Sequence, residues 1–390
     1  MIIKPAPVEY AAYEGIADFL RQRGATLTAP VHALRPHIVA RQAAYFCNEF
    51  PGTAMYAVKV NPDPMVIDTI AANGITAFDV ASLEEVKLVA ERAPMAELFF
   101  MHPVKPRHAI RTAYNNYGVR DFSLDTLDEL KKILEETGNA KDLGLHIRLA
   151  LPKTDAFHGL SNKFGASPEL AATLLKKARR HAARVGLCFH VGSQMMNPDA
   201  YSKALDTVAG VLKAANVKLD SLDVGGGYPV VYADMNPQPL ADYMQAIRDG
   251  VARLNLPAGC RILGEPGRAM VAEAGRLICR IDARKNMDDA DYLYINDGGY
   301  GALFDAAFTG LVYPVRLHRL NGRAPMKKTE PFKLYGPTCD SIDEMPGPFM
   351  LPADAREGDI IEFQQTGAYT YALQSRFNGF YGEEVVIFEE

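Results

Sequence analysis

With 390 residues, 48% of them apolar and 23% charged, the chain is too apolar for disorder and long enough for one large domain plus a smaller one. A formal charge of -5, a pI near 6.0 and no basic cluster interleaved with aromatics exclude a nucleic-acid footprint and point to a small-molecule partner. No apolar run approaches the ~18 residues of a membrane span, and the start lacks the charged-then-apolar order of a signal peptide. The five cysteines are scattered without CxxC spacing, so a cytoplasmic protein with no membrane contact, disulfide framework or metal site is expected.

From about residue 31, short β-rich apolar runs alternate with helical patterns, as parallel strands joined by helical crossovers do. The runs are 54–59, 75–80, 97–101, 120–124, 144–149, 186–190, 219–224 and 261–265. Eight strands, each followed by a helix, within about 250 residues is the count of a TIM-type (β/α)8 barrel, whereas open doubly wound sheets have roughly five to seven. Three helix starts are predicted among them. Ser82-Leu83-Glu84-Glu85 reads as a capping box, Asp125 as the cap of a helix over 126–134, and Ser167-Pro168-Glu169 as a cap with proline at the first helical position. The last of these helices is expected to run to Val185, with Gly186 as its stop.

After about residue 275 the pattern changes. Strand-like pieces at 276–283, 292–296, 332–335, 359–363 and 385–388 are separated by Gly- and Pro-rich turns, which predicts a separate β-domain. The expected division is therefore a barrel over 31–274 and a β-domain built from 1–30 with 275–390.

Four motifs fall at the C-terminal ends of predicted barrel strands. Lys59 ends Met55-Tyr56-Ala57-Val58-Lys59, where shared strand parity with Met55 and Ala57 aims it into the barrel mouth. A desolvated lysine there supplies the free amine that attacks an aldehyde, although a strand-end lysine reaching for solvent is the commoner case. Asp223-Val224-Gly225-Gly226-Gly227 follows the seventh strand, where barrels cradle phosphate, and it fits neither the P-loop nor the GxGxxG pattern. Alone it is a tight turn. His190 closes the sixth strand, and Glu265-Pro266-Gly267-Arg268 closes the eighth with an acid and a base; alone they read as a satisfied histidine and a local ion pair. A carboxylate facing a pyridine nitrogen keeps that ring protonated, and a guanidinium grips phosphate through paired hydrogen bonds. Strand C-termini meet on one face of a barrel, so the conjunction carries more weight than any member.

These motifs resemble the fold-type III, alanine-racemase-like pyridoxal-phosphate decarboxylases, the group of ornithine, diaminopimelate and biosynthetic arginine decarboxylases. The likeness runs from Tyr56-Ala57-Val58-Lys59-Val60-Asn61 to Gly367-Ala368-Tyr369 and is nearest to the ornithine enzymes. It implies that Lys59 carries pyridoxal 5'-phosphate, with Asp79 and Glu85 close by; Glu85 is also explained by its place in the capping box. It further implies Arg148 near the cofactor, His190 stacked on the ring, Glu265 at the ring nitrogen, and Ser193, Gly225, Gly226, Gly227, Arg268 and Tyr369 at the phosphate. In Tyr335-Gly-Pro-Thr-Cys339-Asp340, the likeness implies a homodimer with shared sites in which Cys339 crosses the interface to reprotonate the substrate carbon. Asp340 then binds the distal ammonium, where diaminopimelate decarboxylases carry Glu.

The second acid of the ornithine enzymes has no ungapped counterpart here: Thr309 aligns, and Asp305 fills the role after a short deletion. Two carboxylates suit a diamine cation in a closed site, which favours Asp305. The expected reaction is decarboxylation of L-ornithine to putrescine, with lysine or dual lysine/ornithine activity as the alternative and diaminopimelate behind them. Rival readings are an amino-acid racemase on the same barrel and a catalytically silent regulatory relative, which would have lost some of Lys59, Glu265 and Cys339.

Overall fold

The computed structural model describes residues 10–151, 163–287 and 291–390. Two compact units emerge among the described residues: the first holds 41–151, 163–230 and 237–270, the second 10–40, 231–236, 271–287 and 291–390. The barrel start expected at 31 therefore moves to about 41, because strand Val31–Leu34 hydrogen-bonds into the sheet of the second unit.

In the first unit all eight predicted runs form strands. They are β1 (Thr53–Ala57), β2 (Ala77–Val80), β3 (Glu97–Phe100), β4 (Asp121–Leu124), β5 (Gly144–Arg148), β6 (Arg184–Cys188), β7 (Ser221–Asp223) and β8 (Arg261–Gly264). Parallel pairing runs around the ring and closes where Leu263 and Gly264 of β8 meet Thr53 and Ala54 of β1. Alternation sends Met55, Ala77, Phe99, Cys188 and Leu263 into one buried cluster. The opposite parity gives ring pairs such as Tyr56 with Phe78, centroids 6.3 Å apart.

Two helix expectations need correction. The helix capped by Ser167 ends at Ala178, and Gly186 lies inside β6. A Cβ on Gly186 would stand 2.3 Å from Ser221 Oγ and 2.7 Å from His146 Nδ1, so close packing explains this glycine and helix termination does not. The helix Leu127–Glu136 is capped by Thr126, whose side chain accepts from the Glu129 N–H, while Asp125 accepts from the Gly165 N–H.

Among its described residues the second unit carries a nine-stranded sheet. Its hub, Gly275–Asn286, pairs antiparallel with Val31–Leu34, Ile360–Gln364 and Asp291–Ile295. Phe19, Val31, Ala33, Ile278, Ile360 and Phe388 pack beneath it. All five predicted pieces are strands; Ala11–Tyr13, Val31–Leu34, Val315–His318 and Glu344–Pro352 are additional ones. Among the described residues no helix is long and apolar enough to cross a membrane.

Candidate active site

The strand-end residues of the first unit meet on one face and make up the candidate site. β1 stops at Ala57, whose N–H donates to the Pro266 carbonyl (3.2 Å), and a single 3-10 turn, Val58–Val60, carries Lys59. Lys59 therefore leaves the strand before parity can aim it, and 42% of its side chain is exposed, so desolvation does not supply its chemistry. Its Nζ lies 3.1 Å from Oδ2 of Asp79, a buried carboxylate on β2. Glu85 accepts from the Ala81 N–H (2.7 Å) while Ser82 Oγ accepts from the Glu85 N–H (3.2 Å), so the return bond of the capping box falls one residue before the cap. Burial pushes the Glu85 carboxyl up to about 7, with Asp79 adding to the rise and Lys59 opposing it.

Across the mouth, His190 Nδ1 accepts the Gly192 N–H (2.9 Å), which leaves the ring's other nitrogen to carry the proton of a neutral imidazole. Burial first, then the positive charges of Arg148 at the end of β5 and of Lys59, hold its pKa well below the ordinary histidine range. Ser193 follows, half-buried, in the same turn. Gln194 braces that turn against the next loop through paired bonds to the Val230 carbonyl (2.9 Å) and N–H (2.8 Å).

The glycine run after β7 is shaped by close approach. A Cβ on Gly225 would come within 2.1 Å of the Phe189 carbonyl oxygen, on Gly226 within 2.4 Å of the Glu265 oxygen, and on Gly227 within 2.2 Å of the Gly192 oxygen. Gly225 and Gly227 also have φ of +70° and +106°. Glu265 is 4% exposed, and its Oε1 has no hydrogen-bond donor among the described residues. Burial, Asp223 and Asp79 raise its pKa well above the usual carboxylate range, against Lys59 and Arg148. Arg268, also buried, opens the helix Arg268–Val271.

Lys105 was missed by sequence reasoning, although it is the buried lysine of this face. Its side chain is fully buried, with Nζ 3.0 Å from Glu129 Oε1 and 2.9 Å from the His102 carbonyl, and burial pushes it down to about 8. The surrounding His102-Pro103-Val104-Lys105-Pro106 reads as an ordinary loop, and only the fold brings Glu129 over this lysine.

The remaining predicted residues belong to the second unit. Cys339 is exposed, its Sγ 3.4 Å from Asn378 Oδ1. Asp340, half-exposed, accepts from the Tyr300 hydroxyl (2.6 Å). Asp305 is buried in the first turn of helix Phe304–Thr309, and the Thr309 hydroxyl donates back to the Asp305 carbonyl. Tyr369 adopts φ 58°, half-buried. Asp343, also missed, ties two loops together by accepting from the Gly299 N–H (2.7 Å) and the Thr338 hydroxyl (2.7 Å). Nearby, Asp297 is pushed up to about 7 by burial.

Residues 36–272, more than half the chain, match the family model described as pyridoxal-dependent decarboxylase, pyridoxal binding domain. The chain belongs to the pyridoxal-dependent decarboxylases. A lysine/ornithine decarboxylase of Selenomonas ruminantium is 33% identical over 342 residues, covering 86% of this chain and 83% of the relative. Mouse (Mus musculus) ornithine decarboxylase is 32% identical, covering 84% and 73%. A lysine/ornithine decarboxylase from Vibrio vulnificus, solved with putrescine, superposes with a TM-score of 0.81 at 30% identity over 96% of this chain and 99% of that one. The Paramecium bursaria Chlorella virus arginine decarboxylase gives 0.83 at 27% identity, covering 95% and 99%.

For a pyridoxal-dependent decarboxylase, this chain's own features fit the cofactor. The glycine run brings backbone within distances that any side chain would block, a neutral imidazole lies beside the same turn, and a buried carboxylate oxygen has no donor among the described residues. The accessible amine is Lys59, whereas Lys105 is closed off by its partners.

Proposed function

We propose that this pyridoxal-dependent decarboxylase of basic amino acids acts first on L-ornithine, releasing putrescine and CO2, with Lys59 carrying the cofactor. The observation that carries the reading is the pairing of the accessible Lys59 amine and Asp79 on a barrel mouth that also holds buried Glu265 and the glycine turn. Bound there, pyridoxal phosphate supplies an electron sink for the pair left behind as the α-carboxylate departs.

The chain's residues do the rest. Asp79 neutralises and orients the Lys59 ammonium, and neutral His190 offers an uncharged aromatic face for stacking. Glu265 holds a proton at the ring nitrogen; Ser193, Gly225, Gly226, Gly227, Arg268 and Tyr369 take the phosphate, and Arg148 adds positive charge nearby. Cys339 returns a proton to the substrate carbon from its thiol, which a nearby Asn378 orients. Asp340, held by Tyr300, takes the distal ammonium, with Asp305 as the second carboxylate.

A homodimer with shared sites is part of the proposal. It is supported by the exposure of Cys339 among uncovered apolar side chains, Phe304, Phe308, Ile342, Phe377 and Phe380, each 38–54% exposed. Lysine is the second reading, because similar enzymes carry lysine/ornithine names. Aspartate at 340 counts against diaminopimelate.

One experiment separates these readings: the loaded protein is offered ornithine, lysine, arginine and diaminopimelate, and CO2 and amine are assayed. Ornithine should give the highest kcat/KM. No CO2 from any of the four would reject the activity. In the same assay Cys339→Ala should be slow alone and partly recover when mixed with Lys59→Ala; no recovery would reject shared sites.

A further inference from the structure

Asp223 opens the glycine motif but has no part in the mechanism above. It ends β7 opposite Leu263 of β8 and is completely buried. Its Oδ1 accepts the Gly225 N–H at 2.8 Å, which ties the carboxyl to the first residue of the glycine turn. Its Oδ2 has no N–H or O–H donor among the described residues, and neither has Oε1 of Glu265. Glu265 follows two residues after Leu263, and its backbone N–H donates to the Gly225 carbonyl at 2.8 Å while the Gly225 N–H goes to Asp223. The two buried carboxyls are therefore neighbours at adjacent strand ends, and the Asp223 charge raises the pKa of Glu265.

Two buried carboxylates so placed cannot both be ionised, because each lacks solvent and faces a like charge. One proton between them removes the repulsion and gives an orphaned oxygen the donor it lacks. The surroundings agree in sign. Glu265 also faces Lys59, Arg148 and Asp79; Asp223 faces His146 and Asp79, and His146 is itself hydrogen-bonded to Asp121 at 2.9 Å. The two cations are matched by Asp79 and a single charge on the pair, so a second charge would be uncompensated. The thiol of Cys188 and the phenols of Tyr201 and Tyr228, which also face the pair, are pushed further toward their neutral forms by it.

We propose that Asp223 and Glu265 share one proton, and that in the loaded enzyme Asp223 keeps it, donating to Glu265 and leaving Glu265 as the ionised acceptor for the ring nitrogen's proton. Asp223 is thus a positioning residue. It fixes the rotamer and charge of Glu265 with one oxygen and the glycine turn with the other. The inference rests on the reading that Glu265 meets the ring nitrogen. The shared proton is held at neutral pH and lost as pH rises, so cofactor affinity should fall in the alkaline range.

Pyridoxamine 5'-phosphate is the suitable probe, since it has the ring and phosphate but no aldehyde for Lys59. Its dissociation constant is measured by fluorescence on cofactor-free protein from about pH 7 to pH 10. Wild type should weaken by about tenfold or more as the pair loses its proton. Asp223→Val removes both bonds and should bind about tenfold more weakly throughout. Asp223→Asn should rescue it: the amide oxygen accepts from Gly225, the amide N–H donates to Glu265 without titrating, and the alkaline weakening disappears. An Asp223→Asn protein as weak as Asp223→Val at pH 7, or with the wild-type pH slope, overturns the proposal. Flat wild-type affinity also overturns it, even should neither variant fold. Glu265→Gln isolates the underlying reading, because unchanged probe affinity and spectrum there would remove Glu265 from the ring, whatever Asp223 does.

Discussion

Gly226 makes the sharpest single-residue case, because its φ is not in the left-handed region and only contact forbids a side chain. An added Cβ would meet the Glu265 backbone oxygen at 2.4 Å and His190 Nε2 at 3.4 Å, and backbone cannot swing aside. Gly226→Ala should therefore lower pyridoxal phosphate affinity at least about tenfold, or ~1.4 kcal/mol, without unfolding the barrel. Equilibrium titration checks this, and wild-type affinity would show that the turn does not bound the cofactor space. The placement of residues that end a strand, such as His190 and Glu265, was legible in the sequence because the barrel delivers every strand end to one face. Lys59 was legible as a position and misread as chemistry: the turn at Val58–Val60 breaks strand parity, and the lysine with the missing solvent is Lys105. Asp343 left no signal, because its work is to accept backbone and hydroxyl donors from loops that come together only in the folded unit.

Among elements, strand Val31–Leu34 carries a testable electrostatic cost. His32 is buried there, its ring 5.3 Å from Tyr371, and burial holds its pKa at about 4, below the ordinary value of 6.5. A folded pKa below the unfolded one means that stability is complete above about pH 6.5 and is lost as pH falls toward about 4, by roughly 3 kcal/mol at most. Urea midpoints from pH 7 to pH 4 should drop less for His32→Gln, which cannot charge, than for wild type; parallel losses would clear His32 of this role. The sequence reading placed residues 31–34 inside the barrel segment and read no strand there, since four residues are too short for periodicity to show which sheet they join. Glu344–Pro352 was missed for a different reason: Pro346, Gly347 and Pro348 read as breakers, yet they sit on the last strand of the sheet, where missing N–H donors are tolerated. The eight barrel strands were legible since apolar runs recur between helical stretches, while Gly186 misled because a glycine demanded by packing looks the same in sequence as one that ends a helix.

At the level of the whole molecule, the chain divides its chemistry between two units that sequence reading had separated near 275 and that the contacts separate at 271. The barrel unit holds the amine, the acid and the glycine turn; the β-unit holds the thiol and carboxylate proposed to act on the substrate. In the proposed reading substrate choice follows from the second set, so an ornithine-to-lysine shift is expected from changes around Asp340 and Asp305, and loss of colour from changes in the barrel. Everything proposed depends on one amine holding the cofactor. The most direct measurement is borohydride reduction of the loaded protein, followed by digestion and mass spectrometry of the lysine peptides. The phosphopyridoxyl group should appear on the peptide containing Lys59, and Lys59→Ala should lose the visible absorbance. A label on Lys105 or another lysine, or unchanged colour in Lys59→Ala, would contradict the assignment.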